Sequence, residues 1–270
     1  MEAGTPTSTY REHAPPPALR GHLLCSWTQV IGTGDEALRH RVLPDGCADL
    51  VWLGDAPPVV AGPATGMVLV PLAPGTLVVG LRLRPGAVPG VLGAPASALV
   101  DRDTPLADIW GAGARAGVAQ VSEQTAPAGR LRAAEAALAS RVGQAAPPDP
   151  LVGAATRWLA RHPAGRIAAL ARLLEIGERR LHRRFAAAVG YGPKTMQRVL
   201  RLQRLLLLAG RERAAGLAAL AAAAGYADQA HMSRELQALA GQSAATLLRG
   251  AASTLELSEL FKTAAGPAPN

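Results

Sequence analysis

The segment Leu217–Leu239, LAALAAAAGYADQAHMSRELQAL, limits the possible folds of this chain more than any other stretch. Its alanine-rich start predicts a supporting helix. Gly225 then predicts a tight turn, because a residue without a Cβ readily adopts the backbone conformations of tight turns. Asp228 stands where a side chain caps the next helix. Three apolar residues of that helix share one face: Met232, Leu236 and Leu239. The segment therefore predicts a helix-turn-helix unit.

A weaker copy of the same pattern lies earlier, at Ile167–Val189, IAALARLLEIGERRLHRRFAAAV. A supporting helix leads to a turn at 175–177, and a second helix follows. The inward face of that second helix carries Leu181, Phe185 and Val189. Its opposite face carries four basic side chains: Arg179, Arg180, His182 and Arg183. Two such units in one chain predict a protein that contacts duplex DNA in two places.

The net charge of +8 is unevenly distributed along the chain. Residues 1–150 carry a net charge of −2, whereas residues 151–250 contain 15 arginines and Lys194 against five acidic residues, a net charge of +11. A near-neutral part joined to a strongly basic part is the distribution expected of a sensor attached to a nucleic-acid-binding domain. The alternative is that the arginines merely solubilise helix surfaces.

Arginine on a recognition helix can donate two hydrogen bonds to guanine, and the N-terminal part of such a helix reaches the base edges. The DNA contacts predicted for the first unit are Glu178, Arg179, Arg180, His182 and Arg183. The polar face of the second unit suits bases or phosphates. The contacts predicted there are Asp228, Gln229, Ala230, His231 and Arg234. For each residue the alternative is a solvated or salt-bridged surface side chain.

One long helix is predicted between the two units, at Pro193–Ala209, and proline is favourable at its start. Its ~17 residues at ~1.5 Å each span roughly 25 Å. That length can hold two units near the ~34 Å separation of successive major grooves on one face of the duplex. Lys194 and Arg198 are predicted phosphate contacts on this helix, and Leu205–Leu208 is predicted to lie in the core.

These residues resemble the AraC/XylS family of bacterial transcriptional regulators. The resemblance covers Asp149–Gly250 and is carried by Leu170-Ala171, by ERRLHRRF at Glu178–Phe185, by GYGPKTMQRVLRLQRLLLL and by AGYADQAHMSRELQALAGQS at Ala224–Ser243. It implies that Arg179, His182 and Arg183 contact bases. It also implies that the second recognition helix contacts bases or backbone through Gln229, Ala230, His231 and Arg234.

The sequence departs from the family pattern at several positions. The glycine usual in the first turn is Glu175, and the usual serine cap is Gly177, so the first recognition helix is less well capped. The usual aromatic residues of the second unit are Met232 and Leu236, which keep the apolar volume. The usual closing Ser-Pro is Ser243-Ala244. The basic face is retained, and a less rigid domain is expected.

The first half of the chain predicts short β-strands between turn residues, with a spacing typical of a small sandwich or barrel. The candidates are Leu23–Ile31, Leu38–Leu43, Asp49–Leu53, Val59–Ala61, Met67–Val70 and Thr76–Leu83. In the last strand Leu81 and Leu83 alternate with Arg82 and Arg84. The family often has a cupin-like, effector-binding β-barrel at this position. The resemblance thus implies an α+β fold, with a small β-barrel or cupin-like domain, trailing helices and an all-α double helix-turn-helix domain.

Helices are predicted after these strands, at 107–114, 118–124 and 129–143. The last has an apolar stripe of Leu131, Ala134, Leu138 and Val142, and the helices of 106–142 are the predicted contact of a homodimer. The sequence AAPPDP at 145–150 predicts a linker, because proline cannot continue a helix. The predicted domains are a flexible N-terminus (1–18), an effector-sensing and dimerisation domain (19–144), the linker, a DNA-binding domain (151–250) and a flexible tail (251–270).

Four residues of the β-rich half are candidate ligand-binding residues, although core or surface roles are the alternative: Trp27, Trp52, Arg82 and Arg84. The nearest approach to a metal cluster is His40, Cys47 and Asp49, which lacks a His-x-His pair, so no metal site and no cofactor are predicted. Cys25 and Cys47 do not form a disulfide framework. A redox role of Cys47 stands against the simpler reading of a small buried thiol.

The sequence contains no nucleophile elbow, P-loop or dinucleotide fingerprint, so no catalytic residue is predicted and the chain is not expected to be an enzyme. No run approaches the ~18 apolar residues of a membrane span. The start lacks the segments of a signal peptide, so the expected location is the cytoplasm. The predicted protein is a regulator that binds promoter DNA under control of an unknown small effector, with RNA polymerase as a partner. The alternatives are a first half that binds a protein or is catalytic.

Overall fold

The computed structural model describes residues 8–33, 38–111, 115–143, 145–211 and 216–248. A β-rich part comes first and a helical part second, which confirms the predicted α+β class at that level. The flexible tail predicted at 251–270 and the first seven residues of the predicted flexible N-terminus lie outside the described residues.

Eight strands are described in the first half. They are β1 (Thr9–His13), β2 (Leu23–Val30), β3 (Leu38–Val42), β4 (Ala48–Leu53), β5 (Val59–Ala61), β6 (Val68–Leu72), β7 (Leu77–Leu83) and β8 (Asp103–Pro105). Six of them lie where the alternation and turn residues predicted strands. β1 falls within the stretch expected to be loose, and it pairs antiparallel with β2 from Thr9↔Val30 to His13↔Ser26.

The strands form one antiparallel six-stranded sheet, in the order β1-β2-β7-β4-β5-β8, and a separate pair, β3-β6. The predicted barrel is not confirmed: among the described strands β1 and β8 end the large sheet at opposite edges and do not pair with each other. Closure of a barrel needs all strands in one continuous hydrogen-bonded ring. In the described ranges β3 and β6 pair only with each other and form a second layer beside the large sheet.

The large sheet is covered on both faces. One face presents Leu50, Trp52, Leu81 and Leu83 to a core shared with the helices that follow. The other face presents Cys25, Trp27 and Val78 toward Leu72 and Val70 of β6, so the two-stranded sheet covers it. Because side chains alternate along a strand, Leu81 and Leu83 face the helices while Arg82 faces the smaller sheet.

Four helices are described in the first half. α1 (Val88–Leu92) lies between β7 and β8, and α2 (Leu106–Trp110), α3 (Arg115–Ser122) and α4 (Pro127–Val142) follow β8. The predicted apolar stripe of α4 is present, but Leu131, Ala134, Leu138 and Val142 pack within the core of the large sheet. The stripe is therefore used inside the chain, and these residues do not leave an apolar face for a second copy.

Six helices are described in the second half: α5 (Pro150–Arg161), α6 (Ile167–Leu173), α7 (Glu178–Val189), α8 (Pro193–Arg211), α9 (Leu217–Ala224) and α10 (Gln229–Ala240). They enclose two cores. The start of α8 contributes Met196, Val199 and Leu200 to a core with α5, α6 and α7. Its end contributes Leu202, Leu205 and Leu206 to a core with α9 and α10. None of the helices in the described ranges is long and apolar enough to span a membrane.

The two helical turns differ in quality. Gly225 ends α9 with φ +93°, a left-handed conformation that costs glycine little. Asp228 caps α10 as predicted, since its carboxylate accepts a hydrogen bond of 2.6 Å from the His231 amide. In the first unit Glu175 adopts a left-handed conformation with φ +51°. The residue at the N-cap of α7 is Gly177, which has no side chain to accept a hydrogen bond from the first amides of the helix. The first turn is thus the less favourable of the two.

The two halves of the chain are packed against each other. The turn between β3 and β4 touches α8: Gln203 Nε2 donates a hydrogen bond of 2.7 Å to the carbonyl of Pro44, and a Cβ on Gly46 would lie 2.7 Å from Met196 Cε. Leu43 packs against the core of the second helix-turn-helix unit. The β-rich half therefore contacts the helix that joins the two units.

Candidate nucleic-acid interface

The helix α7 has one buried and one exposed side. Leu181 and Phe185 are fully buried and fix the helix on its core. The five DNA contacts predicted on this helix are all solvent-exposed: Glu178, Arg179, Arg180, His182 and Arg183. The structure thus brings the predicted residues together on one accessible face in which cationic side chains predominate.

His182 is positioned by its neighbours as well as by its own helix. A Cβ on Gly192 would lie 2.5 Å from the ring atoms Cδ2 and Nε2 of His182, so the imidazole packs against the glycine backbone before α8. The side chain is held at the end of the exposed face nearest to the joining helix.

The second recognition helix, α10, exposes Gln229, Ala230 and Arg234, together with the capping residue Asp228. The predicted contact His231 is instead half-buried and held by its own chain. Its Nδ1 accepts a hydrogen bond of 3.2 Å from the Ala227 amide. The ring meets the ring of Tyr226 edge-on, with the centroids 5.5 Å apart. These contacts orient His231 within the turn, so the accessible face of α10 is smaller than that of α7.

The predicted phosphate contacts on α8 also make contacts within the chain. Lys194 Nζ donates to Gln197 Oε1 at 3.0 Å, and partial burial lowers the pKa of its ammonium. Arg198 Nε donates to Glu235 Oε1 at 3.1 Å and is about one-third exposed. Both side chains lie on the helix between the two units, with part of their surface open to solvent.

Glu235 is a centre of contacts that sequence patterns did not single out. Besides Arg198, it accepts hydrogen bonds of 2.8 and 2.9 Å from Nη2 of Arg201, a side chain only 5% exposed. The guanidinium of Arg201 also lies over the Tyr226 ring, 5.2 Å from its centroid. This cluster ties α8 to α10 and fixes the orientation of the second unit on the joining helix.

Arg184 makes a further contact that the sequence did not indicate. Its Nε and Nη2 each donate a hydrogen bond of 2.8 Å to the carboxylate of Asp149, the residue that caps α5. Burial raises the pKa of Asp149, but the hydrogen bonds from Arg184 and from the amides of Val152 and Leu151 outweigh it, and the net pKa is lowered. Arg184 therefore orients α7 rather than adding to its accessible face.

The joining helix α8 contains 19 residues, which at ~1.5 Å per residue gives a length of roughly 28 Å. It begins directly after the first recognition helix and packs against both cores. A helix of this length could hold two recognition helices near the separation of neighbouring major grooves, which is about 34 Å.

A cavity of about 200 Å³ lies between the two sheets of the first half. Two of the four candidate ligand-binding residues, Trp27 and Arg82, form part of its wall. Trp52 is instead buried in the core on the helix side of the large sheet. Arg84 follows β7 and donates to the carbonyl of Arg20 at 2.9 Å. The cavity wall also includes Gln203 and Leu206 of α8.

The cavity wall has a charged end. Arg82 donates two hydrogen bonds of 3.2 Å to Asp49 and lies 3.3 Å from Oδ2 of Asp45. Burial raises the pKa of the Asp49 carboxyl group, although the positive charge of Arg82 opposes this rise. Within the described residues, no group of three or more His, Cys, Asp or Glu side chains is arranged to hold a metal ion.

Both cysteines are buried on this side of the large sheet. Burial raises the pKa of the Cys25 and Cys47 thiols, so both are protonated at neutral pH. The thiolate is the reactive form of cysteine. The geometry therefore favours the reading of Cys47 as a small buried thiol over a redox sensor.

Together these helices define a class of protein: a DNA-binding protein with two helix-turn-helix units joined by one helix. Residues 170–250 match a family model described as a helix-turn-helix domain. The helical half of the chain therefore contains an AraC-type helix-turn-helix domain, as its motifs predicted. Residues 11–105 match a model described as a domain of unknown function (DUF6597), which covers the strands of the first half as far as β8.

Among solved structures, the chain is similar to apo ToxT from Vibrio cholerae strain SCE256, at 10% identity and a TM-score of 0.43. The similarity covers 90% of this chain and 96% of that chain. No curated protein matches the sequence.

Proposed function

We propose that the chain is a sequence-specific regulator whose two recognition helices enter neighbouring major grooves, and whose β-rich half binds a small effector. The observation that carries the proposal is the exposed basic face of α7, joined to the exposed polar face of α10 by a single helix that packs in both cores. Arg179 and Arg183 would donate to guanine edges, while Arg180 and Lys194 would contact phosphates.

The cavity between the two sheets supports an effector-binding role for the first half over a purely protein-binding role. A cavity with apolar walls and a few converging polar groups is typical of small-molecule sites, and about 200 Å³ of space is available here. Because Gln203 and Leu206 of α8 belong to the wall, an occupant would touch both halves. Ligand binding would then shift the population of arrangements that fit DNA.

Two further partners are proposed only from the family resemblance: RNA polymerase and a second copy of the chain. The apolar stripe of α4 no longer supports the dimer, because it is buried within the chain. A dimer would need another surface.

The test begins with selection of bound fragments from a random duplex pool by the full chain. Affinities of Arg183→Ala for the selected duplex and for a random duplex are then measured by fluorescence anisotropy. Loss of a bidentate contact to guanine should cost about 1–3 kcal/mol on the selected duplex and much less on the random one. Arg132→Ala, on the exposed surface of α4, removes the same charge far from α7 and is the matched control. Equal losses on both duplexes would contradict base reading by Arg183.

The salt dependence of binding gives a second readout. If the basic helices contact ~6–8 phosphates, the slope of log K against log salt concentration should be about −5 to −7, because each neutralised phosphate releases counterions. A slope near zero would contradict binding to duplex DNA through this surface.

A further inference from the structure

The cavity between the two sheets has the size of a small organic molecule. Its volume is about 200 Å³, somewhat more than the ~150 Å³ of an engineered protein cavity that accommodates benzene. An occupant of roughly six to eight non-hydrogen atoms would fill it. Much of the wall is apolar and suits a hydrocarbon body, with side chains that include Val51, Leu53, Val59, Val70, Val78 and Leu206.

The charged end of the cavity carries an excess of negative charge. Arg82 is 9% exposed, and its guanidinium is already directed at carboxylates: Nε and Nη2 donate to Asp49, and Nη1 lies 3.6 Å from Glu12. Asp45 lies beside the same group. In the described part of the chain, one buried guanidinium thus stands among three carboxylates that are 10–18% exposed.

The remaining ionisable side chains of the wall do not remove this excess. Arg41 and Asp103 are exposed and of opposite charge. His40 is half-buried, and burial lowers the pKa of its imidazole, so it is mainly neutral at pH 7. An anionic ligand would therefore enter against carboxylates that outnumber the cation, and Asp49 already occupies the Nε–Nη2 edge of Arg82.

The wall that α8 contributes also requires a hydrogen-bond donor. Gln203 is 3% exposed and lines the cavity. Its Nε2 donates to the Pro44 carbonyl at 2.7 Å, while its Oε1 has no hydrogen-bond partner among the described residues. A buried acceptor without a donor is costly. The acidic end of the cavity and this amide oxygen thus favour the same ligand chemistry.

We propose that the cavity binds a small organic cation, with an ammonium or amidinium head among Asp45, Asp49 and Gln203 and an apolar body between the two sheets. This inference rests on the proposed effector-binding role of the first half and names the class of its ligand.

The same geometry links the ligand to the DNA-binding half. Asp45 lies in the turn that contacts α8. The residue before it, Pro44, accepts a hydrogen bond from Gln203, and the residue after it, Gly46, packs against Met196. A cation bound at Asp45 and Gln203 would bridge this turn and the joining helix. Ligand binding would therefore strengthen the contact between the β-rich half and the helix that sets the spacing of the two DNA-binding units.

The test uses three probes with the same hydrocarbon chain: hexylamine, hexan-1-ol and hexanoate. Their binding to the full chain is measured by titration calorimetry at pH 7 in the absence of DNA. Hexylammonium should bind about tenfold more tightly than hexanol, a difference of about 1.4 kcal/mol, because hydrogen bonds between ionised groups are stronger than neutral ones. Hexanoate should bind most weakly, because its carboxylate would meet carboxylates of the same charge.

The variant Asp45→Asn removes one negative charge. It keeps a side-chain oxygen at the position that accepts the 2.8 Å hydrogen bond from the Cys47 amide. It should reduce the preference for the amine over the alcohol about tenfold. Asp108→Asn removes the same charge from the exposed first turn of α2 and should leave the preference unchanged. The inference is overturned if hexanoate binds as tightly as hexylamine, if Asp45→Asn leaves the preference intact, or if none of the three probes binds.

The two proposals fail separately. A chain that selects its DNA but prefers hexanoate keeps its function as a DNA-binding regulator and loses only the cationic ligand. A chain that binds hexylamine through Asp45 but does not distinguish its selected duplex from random DNA loses the proposed regulatory function alone.

Discussion

Arg184 and Asp149 form a bidentate ion pair, with two hydrogen bonds of 2.8 Å between guanidinium and carboxylate. Asp149 lies near the end of the proline-rich linker and also caps α5, whereas Arg184 belongs to the first recognition helix. The pair therefore fixes the direction of α7 relative to the point at which the chain leaves the β-rich half.

Asp149→Asn should lower the free energy of unfolding at pH 7 by about 0.5–1 kcal/mol, the range for partly exposed ion pairs. Asparagine still caps the helix, so the loss reports mainly the ion pair. Urea denaturation of the full chain, followed by circular dichroism, measures it. Asp108→Asn removes an exposed carboxylate elsewhere and should change the stability by less than about 0.5 kcal/mol.

The effect of Asp149→Asn should also depend on pH. The pKa of Asp149 is lowered in the folded chain, so its contribution to stability is fully present above the unfolded-state pKa of about 4. That contribution is lost as pH falls through the lower pKa of the folded state. The difference between the two proteins should therefore shrink below about pH 4, and a difference that grows on acidification would contradict the ion pair.

Glu175→Gly should stabilise the first helix-turn-helix unit. Glu175 has φ +51°, and a left-handed conformation costs a residue with a Cβ roughly 1–2 kcal/mol. Glycine avoids that cost but loses about 0.5–1 kcal/mol through the larger entropy of its unfolded chain. A net gain of about 0.5–1 kcal/mol in unfolding free energy is expected by urea denaturation. Glu175→Ala keeps the Cβ and should show no gain, and equal stabilisation by both substitutions would contradict the strain.

Glu235→Gln should destabilise the second unit. Arg201 is 5% exposed and depends on the Glu235 carboxylate for its counter-charge. Glutamine leaves one acceptor but removes the charge, so a loss of about 2–3 kcal/mol is expected. Arg198→Ala, which removes a one-third exposed partner of the same carboxylate, should cost about 1 kcal/mol or less. If the two substitutions cost the same in a urea titration, the buried pair is not what holds α8 to α10.

The sequence predicted most of the local structure but not how the layers meet. In Leu77–Leu83 the alternation placed Arg82 opposite Leu81, which the structure confirms. In Ala48–Leu53, both faces carry large apolar side chains, so alternation could not tell whether Trp52 faces the helices or the cavity. β1 was missed because TYREH is polar and lies in a proline-rich stretch, and its position depends on pairing with β2.

The contacts between the two halves could not be predicted from the sequence. The hydrogen bond from Gln203 to Pro44 joins residues 159 positions apart, and no local pattern encodes such a contact. The helix-turn-helix units were predicted because their apolar spacing and Asp228 cap are local signals. The internal partners of His231 and Arg198 were not, because a polar residue on a helix can face solvent or a neighbouring element with the same spacing.

Methylation-protection footprinting on the selected duplex tests most directly whether α7 and α10 contact two neighbouring major grooves. Two protected segments about 10 base pairs apart on one face of the duplex are expected. Arg183→Ala should remove protection in one segment and Arg234→Ala in the other. A single protected segment, or loss of the same segment with both variants, would contradict the account.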